Sequence, residues 1–184
     1  MKIKYIKIDN NNKISKCKRK KFVALDVETT GLSPVYNELI EISAIKYDGE
    51  IKVDTFSTLI KPKRPISRTI TNITGITNQM VAKSPQIEDV MPKLVEFIGD
   101  SPIVAHNANF DFSFLQNNSN RSFSKNTVID TVALSRKMLP NLPNHKLNTV
   151  AKCIGIQEEG FHRAEFDCEC CAKIYIKYLE NTIN

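Results

Sequence analysis

The stretch FVALDVETTGL, residues 22–32, carries the strongest information about the fold. Residues 22–29 are mostly apolar, which is typical of a strand buried on both faces of a sheet. Asp26 and Glu28 interrupt the run two positions apart, so strand alternation places both carboxylates on one face. Neighbouring carboxylates repel each other and resist burial unless a cation lies between them. The stretch therefore predicts a strand that ends either at a cation site or in solvent.

A short polar turn follows this strand. Thr29, Thr30 and Gly31 give it two hydroxyl groups and one residue without a side chain. Glycine lets a ligand approach the backbone closely, and hydroxyl groups supply hydrogen-bond partners. The turn therefore favours a ligand site over two carboxylates that simply face solvent.

The remaining pattern predicts an α/β domain with a mixed five-stranded sheet flanked by helices. Two strands, at 38–47 and 52–60, are joined by the hairpin signal Asp48-Gly49 and should pair antiparallel with the first. Strands then alternate with helices, which is typical of parallel pairing. We expect strands at 102–106 and 127–130, and helices at 85–98, from about 109, at 132–139, at 146–154 and at 164–179.

The positive charge is concentrated at one end of the chain. The 184 residues carry a net charge of +6, whereas residues 1–21 alone hold nine Lys or Arg and one Asp. We therefore divide the chain into a basic N-terminal arm, residues 1–21, and one domain, residues 22–184. The arm is either a solvated tail or a segment that attracts phosphate groups.

Composition argues against several classes of protein. A hydrophobic content of 41% with 25% charged residues is ordinary for a globular domain. No apolar run reaches the roughly 18 residues that span a bilayer, and the N-terminus lacks the apolar core of a secretory signal. We therefore expect no membrane partner and a cytoplasmic location. Five cysteines, three of them within four residues, do not suggest a disulfide framework.

A second group of candidate functional residues occurs in HNANFDFSFL, residues 106–115. His106 and Asn107 lie at the end of a predicted strand, where α/β sheets place their ligand crevices. Asp111 follows Phe110 on the next predicted helix. It is either solvated on the polar face of that helix or a carboxylate at the edge of an apolar surface.

A third group occurs in HRAEFDCECCA, residues 162–172, which superficially resembles a zinc site. Structural zinc sites pair two ligands with a distant second pair, and no such pair is present here. Cys168 and Cys171 are more simply explained as packed side chains. His162 and Asp167 would diverge on one helix, so they converge only if His162 lies in the preceding loop and folds back.

Together, the three groups resemble a known set of motifs. The D-x-E of DVETTGL, the HN-x-x-FD of HNANFDFSFL and the H-x₄-D of HRAEFD occur in the order found in DEDDh 3′–5′ exonucleases. That family is the DnaQ-like branch of the ribonuclease H-like fold. The chain looks particularly similar to the exonuclease segment of PolC-type polymerases and to the epsilon proofreading subunit of DNA polymerase III.

The resemblance implies four metal-binding carboxylates and one general base. By position, the carboxylates are Asp26, Glu28, Asp111 and Asp167, and the base is His162. In the family such residues hold two Mg²⁺ or Mn²⁺ ions and release 5′-mononucleotides from DNA 3′ ends by phosphodiester hydrolysis. The expected substrate contacts are Thr29, Thr30, Gly31, Leu32, Ile76, His106, Asn107 and Phe110.

The resemblance therefore predicts a 3′–5′ exodeoxyribonuclease for proofreading or repair. Its expected partners are single-stranded DNA or frayed 3′ ends, with or without a DNA polymerase catalytic subunit. A second interpretation is an RNA-directed exonuclease of the same fold, of the oligoribonuclease or ribonuclease T type. A third is a nucleic-acid-binding module with a vestigial site, which the intact set of five residues argues against.

Overall fold

The computed structural model describes residues 4–5, 21–119, 123, 125–157 and 161–183, and it has helices on both faces of one mixed sheet. The strands are β1 Lys4–Tyr5, β2 Lys21–Thr29, β3 Leu39–Asp48, β4 Ile51–Leu59, β5 Ile103–Ala105 and β6 Thr127–Asp130. The helices are α1 Arg68–Thr74, α2 Asn78–Val81, α3 Ile87–Ile98, α4 Ala108–Asn117, α5 Thr131–Met138, α6 Leu147–Cys153 and α7 Ala164–Ile183. Among these helices, none is both long and apolar enough to span a membrane.

The sheet confirms the predicted mixed topology and adds one strand. Its order is β1-β6-β5-β2-β3-β4, with β2, β3 and β4 antiparallel to one another in turn and β5 parallel to both β2 and β6. The sixth strand, β1, comes from the predicted basic arm and pairs in parallel with β6. A two-residue strand leaves no alternating pattern, so sequence periodicity does not reveal it. Residues 6–20 of the arm lie outside the described part of the chain.

The hairpin between β3 and β4 forms where it was predicted, but its register differs by one residue. Asp48 pairs with Ile51, so Gly49 and Glu50 are the two central turn residues instead of Asp48 and Gly49. Gly49 has a φ of 64°. A glycine with positive φ at the first central position is typical of a type II′ hairpin turn.

The two faces of β2 bury different parts of the protein. Val23, Leu25 and Val27 contribute to a core that includes side chains of α3 and α4. Phe22 and Ala24, on the opposite face, pack in a second core with side chains of α5 and α7. Asp26 and Glu28 continue this second row, because side chains alternate along a strand. The prediction that both carboxylates share one face is therefore confirmed, and that face is the one covered by α7.

The helices match the sequence pattern with small shifts at their ends. α3 begins at Ile87 with Gln86 as its N-cap, two residues after the predicted start at residue 85. Gly75 ends α1 in the left-handed conformation with a φ of 72°. It thereby separates α1 from α2.

We predict that Phe112 is essential for holding α4 against the sheet. Its side chain is fully buried, whereas Gln116 on the same helix is exposed. Phe112→Ala should lower the free energy of unfolding by about 3–5 kcal/mol, and Gln116→Ala should change it by less than about 0.5 kcal/mol. Urea unfolding curves measure both values. Equal losses in the two variants would contradict this packing.

Candidate active site

Asp26 and Glu28 lie near the carboxyl end of β2, on the face covered by α7. Their cross-strand neighbours on β3 are Ser43 and Glu41, respectively. The register between β2 and β3 shifts immediately after Glu28, between Glu28 and Thr29. Such an irregularity bends a strand and changes the direction of nearby side chains. The regular pairing of the sheet therefore ends next to the two carboxylates.

Asp111 reaches the same region from α4. Only 2% of its surface is exposed, which excludes the solvated alternative. β5 ends at Ala105, before it reaches the level of Val27, so the Val27 N–H is free of β5. The Asp111 carboxylate accepts a hydrogen bond from this N–H. Asp111 is therefore held beside the residue that separates Asp26 from Glu28.

His162 and Asp167 converge as the spacing required. His162 lies in the loop before α7 with a φ of 67°, and its side chain is exposed. Its backbone N–H donates to Oδ2 of Asp167 over 3.2 Å, so the loop folds back over the first turn of α7. The atoms of Glu28, His162 and Asp167 that can bind a metal all lie within 4.8 Å of one another. The third group of candidate residues, at 162–172, therefore lies next to the first group, at 22–32.

All four carboxyl groups have raised pKa values, and burial is the main cause in each case. Burial raises the pKa of Glu28 to about 8 and that of Asp167 to about 7. The pKa of Asp26 is raised further by the negative charges of Asp111, Asp167 and Glu28. The carboxyl groups therefore act on one another, and burial and mutual repulsion favour their protonated forms when no cation is bound.

The residues fit a divalent cation. Oδ1 of Asp167 is buried and has no hydrogen-bond partner in the part of the chain that the structure describes. A buried carboxylate oxygen without a partner is costly, and a bound cation would satisfy it. Carboxylate oxygens are the ligands that hard cations such as Mg²⁺ and Mn²⁺ prefer. We therefore interpret the cluster as a candidate divalent-metal centre.

A fifth carboxylate borders the site, and the sequence analysis missed it. Glu41 is 3% exposed and forms an ion pair with Arg163, with 2.8 Å between Nη2 of Arg163 and Oε1 of Glu41. Its Oε2 also accepts the Ala164 N–H over 3.0 Å, which caps the start of α7. The pair holds Arg163, the residue after His162, against β3. A charged residue within the apolar strand LIEISAI was the available signal.

The turn at residues 29–31, which is predicted to contact the substrate, is stabilised by hydrogen bonds within its own loop. The Thr29 hydroxyl donates to the Gly31 carbonyl, and the Thr30 hydroxyl accepts the Glu38 N–H over 2.9 Å. A Cβ added at Gly31 would meet the side chain of Asn37 at 2.6 Å. Glycine is therefore required here for the packing of the loop on itself. Leu32 follows with 85% of its surface exposed, as expected for a contact to a terminal base.

One predicted substrate contact is wrong. Ile76 is fully buried in a core with Ile40, Ile66 and Val81, so it has no surface to offer a base. The sequence showed only an apolar residue after a glycine, which suits a core equally well.

His106 is partly exposed, so its substrate contact stays a prediction. Its Nδ1 lies 2.8 Å from the Thr131 hydroxyl and its Nε2 lies 2.9 Å from the His145 carbonyl oxygen. A carbonyl oxygen only accepts, so Nε2 carries a proton. Burial lowers the pKa of His106, which favours the neutral ring. Both ring nitrogens thus bind within the protein, and His106 ties β5 to the loop before α6.

The other two predicted contacts near α4 remain at the surface. Asn107 is exposed in the left-handed conformation, with a φ of 58°, and its N–H donates to Asp130 over 3.0 Å. Phe110 is partly exposed and packs against Phe114 with 5.2 Å between ring centroids. Neither position excludes a substrate contact, so both stay predictions.

The cysteines pack as expected. Cys168, Cys170 and Cys171 are buried free thiols, and Cys168 and Cys171 contribute to the core under α7. Sγ of Cys168 donates to the carbonyl oxygen of Ser43 over 3.2 Å. Within the described residues, these thiols join no cluster of potential metal ligands. Packing therefore accounts for them.

Comparison with known proteins agrees with the fold and identifies the family. A family model described as an exonuclease matches residues 23–175, so the chain belongs to this exonuclease family. The solved structure of exonuclease X in complex with 5′ overhanging duplex DNA is 30% identical, with a TM-score of 0.70, and the match covers 88% of this chain and 91% of that one.

Two further relatives add information of different kinds. PolC-type DNA polymerase III of Caldanaerobacter subterraneus subsp. tengcongensis is 45% identical over 161 residues, which cover 86% of this chain and 12% of the polymerase. The chain therefore spans about an eighth of the length of that relative. Exonuclease I of E. coli in complex with a dA16 oligonucleotide is 19% identical with a TM-score of 0.75, covering 89% of this chain and 42% of that one. That likeness supports the ribonuclease H-like fold alone.

We predict that the metal-free protein loses stability as the pH rises from about 4 to about 8. In the folded protein Glu28 and Asp167 keep their protons up to their raised pKa values, whereas in the unfolded chain they release them near pH 4. The folded state therefore loses stability as the pH rises between these values. Millimolar Mg²⁺ or Mn²⁺ should raise the melting temperature most at alkaline pH, because cations and protons compete for the same oxygens. Thermal melts in EDTA and in metal measure both effects.

Two variants make this test specific. Asp167→Asn removes one titrating group and should flatten the pH dependence and weaken the response to metal. Asp89→Asn, an exposed change on α3, should leave both unchanged. An Asp167→Asn protein with the same pH and metal response as Asp89→Asn would contradict the proposed centre.

We predict that the Glu41–Arg163 pair positions His162. Glu41→Gln and Arg163→Met should each lower kcat by about tenfold or more, with little change in KM, because the His162 loop loses its anchor. The double variant should lose less than the two single losses combined. A double-mutant cycle on kcat, with melting temperatures to confirm folding, measures the coupling.

Glu165→Gln is the matched control for this pair. Glu165 is also on α7, but its partner Lys52 is at the surface, where ion pairs contribute little. Additive effects of Glu41→Gln and Arg163→Met, or an equal loss in Glu165→Gln, would show that the pair does not position the loop.

Proposed function

We propose that this chain is a metal-dependent 3′–5′ exonuclease that removes 5′-mononucleotides from DNA ends. One observation carries the proposal: acidic groups of β2 and α7 lie together beside the exposed imidazole of His162, and Asp111 of α4 interacts electrostatically with Asp26 and Glu28. Buried carboxylates at such density are unfavourable unless cations bind among them. Membership in the exonuclease family supports the reaction class.

Each residue has a role that follows from its position. Asp26, Glu28 and Asp167 would bind the cations from β2 and α7, and Asp111 would complete the set from α4. Two Mg²⁺ or Mn²⁺ ions would supply polarisation of the phosphoryl oxygens and neutralise charge that develops during an in-line displacement. His162 is at the rim, where it would accept the proton of the attacking water as general base.

The nature of the substrate is supported by the relatives. One relative is a DNA polymerase, and exonuclease X forms a complex with 5′ overhanging duplex DNA. Leu32 offers an exposed apolar face to a terminal base, and such contacts tolerate any base sequence. We therefore propose DNA with a single-stranded or frayed 3′ end as substrate. An RNA substrate is the alternative that the experiment below distinguishes.

We also propose how the domain is used. The match to a segment of PolC-type polymerases supports a proofreading role beside a DNA polymerase catalytic subunit. We propose that residues 22–184 form the exonuclease domain. The basic charge of residues 1–21 supports an arm that contacts nucleic acid, while Lys4–Tyr5 pairs with β6.

The proposal predicts which substitutions abolish the reaction. Asp26→Asn and Asp167→Asn should each lower kcat more than about a hundredfold, because even outer-shell changes at metal sites cost 10–100-fold. His162→Gln should lower it by about 10²–10⁴-fold. Release of 5′-mononucleotides from matched DNA and RNA oligomers, labelled at either end, measures rate, direction and sugar preference. Asp89→Asn is the matched control.

Three outcomes would contradict the proposal. Wild type that releases no more nucleotide than Asp26→Asn would favour a binding module with a vestigial site. Faster digestion of RNA than of DNA would favour the exoribonuclease interpretation. Early loss of a 5′ label, before any loss of a 3′ label, would reverse the assigned direction.

A further inference from the structure

A basic segment lies close to the candidate active site without belonging to it. Residues 61–68, KPKRPISR, contain four cationic side chains and no acidic one, although the domain that follows the arm has a net charge of −2. We call this stretch the basic segment. Its cations are Lys61, Lys63, Arg64 and Arg68, and all four are exposed. Such a concentration of charge attracts polyanions.

Sheet register places the basic segment near the metal-binding carboxylates. Glu28 pairs with Glu41 on β3, and Glu41 pairs with Leu59 on β4. Neighbouring strands lie about 4.8 Å apart, so Leu59 is about 10 Å from Glu28 across the sheet. The chain leaves β4 at that point and enters the basic segment at Lys61.

Glu38 ties the basic segment to the substrate turn. Its carboxylate accepts the Lys63 N–H over 2.6 Å and Nε of Arg64 over 3.1 Å. Its own N–H donates to the Thr30 hydroxyl. Arg64 also donates to the Tyr36 carbonyl oxygen. These contacts fix the basic segment against the loop that begins at the active site.

Exposed apolar side chains lie along that loop. Leu32, Val35 and Tyr36 have exposed fractions of 85%, 72% and 73%. Lys61 and Arg68 have no ion-pair partner among the described residues, so their charges are available to a ligand. Lys61 lines one concavity with Val35 and Tyr36. Apolar faces near an unpaired cation match the needs of single-stranded nucleic acid, whose bases stack and whose phosphates are anionic.

We propose that residues 32–36 and the basic segment form a track for the single strand behind its terminal nucleotides. The inference rests on the proposed function, because the track leads a 3′ end to the carboxylates. Bases of the trailing strand contact Tyr36 and its apolar neighbours. Phosphates contact Lys61 and Arg68. The positive charges of the track offset the repulsion between the acidic centre and the anionic phosphates of the substrate.

The test compares two double variants with the same change of charge. Lys61→Gln/Arg68→Gln removes the unpaired cations of the track. Arg136→Gln/Lys173→Gln removes one Arg and one Lys from the exposed surfaces of α5 and α7. Fluorescence anisotropy in EDTA, without hydrolysis, gives the Kd of the full chain for an oligothymidylate of about 15 nucleotides. Melting temperatures confirm that each variant is folded.

The track variant should bind roughly tenfold more weakly than the control variant. The slope of log Kd against log salt should fall by about 1.4, the value for two lost single-strand phosphate contacts. In kinetic assays, KM should rise for the long oligomer but not for a thymidine dinucleotide, which is too short to reach the track. Equal Kd values and salt slopes in the two double variants would overturn the proposal.

Tyr36→Ala tests the apolar part of the track separately. It should raise KM for the long oligomer by about tenfold, as expected for one lost base–aromatic contact, whereas Ile51→Ala at the far end of β4 should not. Binding of a protein partner to this surface, with DNA affinity unchanged in all variants, would also overturn the proposal. Because Kd is measured without turnover, a wild type that releases no nucleotide contradicts the proposed function alone.

Discussion

Mutual repulsion among four crowded carboxylates is the constraint on which this structure depends. Two like charges about 4 Å apart near a protein surface repel each other by about 4 kcal/mol, and burial adds to this cost. Burial, together with the negative charges nearby, raises the pKa values of Asp26, Glu28, Asp111 and Asp167. A fold tolerates such an arrangement only if the surrounding packing is rigid and a cation offsets the charge.

The elements that pack around the site also carry or anchor its functional residues. β2 is buried on both faces and carries two of the carboxylates at its end. α7 fills the second core and presents Asp167 from its first turn. Glu41 and Arg163 hold the start of α7 to β3, so the loop that carries His162 has an anchor although its imidazole is exposed. Packing is thus concentrated beneath the site, and the imidazole is left exposed.

The sequence predicted correctly those parts of the site that depend on local geometry or on the complete set of three motifs. Asp26 and Glu28 share a face because alternation along a strand requires it, whereas the approach of Asp167 was predicted from resemblance, since no local rule relates such distant residues. Ile76 failed because an apolar residue after a glycine fits either a core or a binding surface. The partners of His106 were not predicted, because the contacts of an imidazole depend on tertiary packing. Both cases concern side-chain surroundings, which composition and periodicity do not encode.

The most direct test of the central claim is the position of bound metal. Crystals grown with Mn²⁺ should show anomalous scattering peaks among the carboxylates of Asp26, Glu28, Asp111 and Asp167, with one peak beside Oδ1 of Asp167. Two ions about 3.5–4 Å apart are expected when a nucleotide is also bound. Peaks elsewhere on the protein, or none at this cluster at saturating Mn²⁺, would contradict the account.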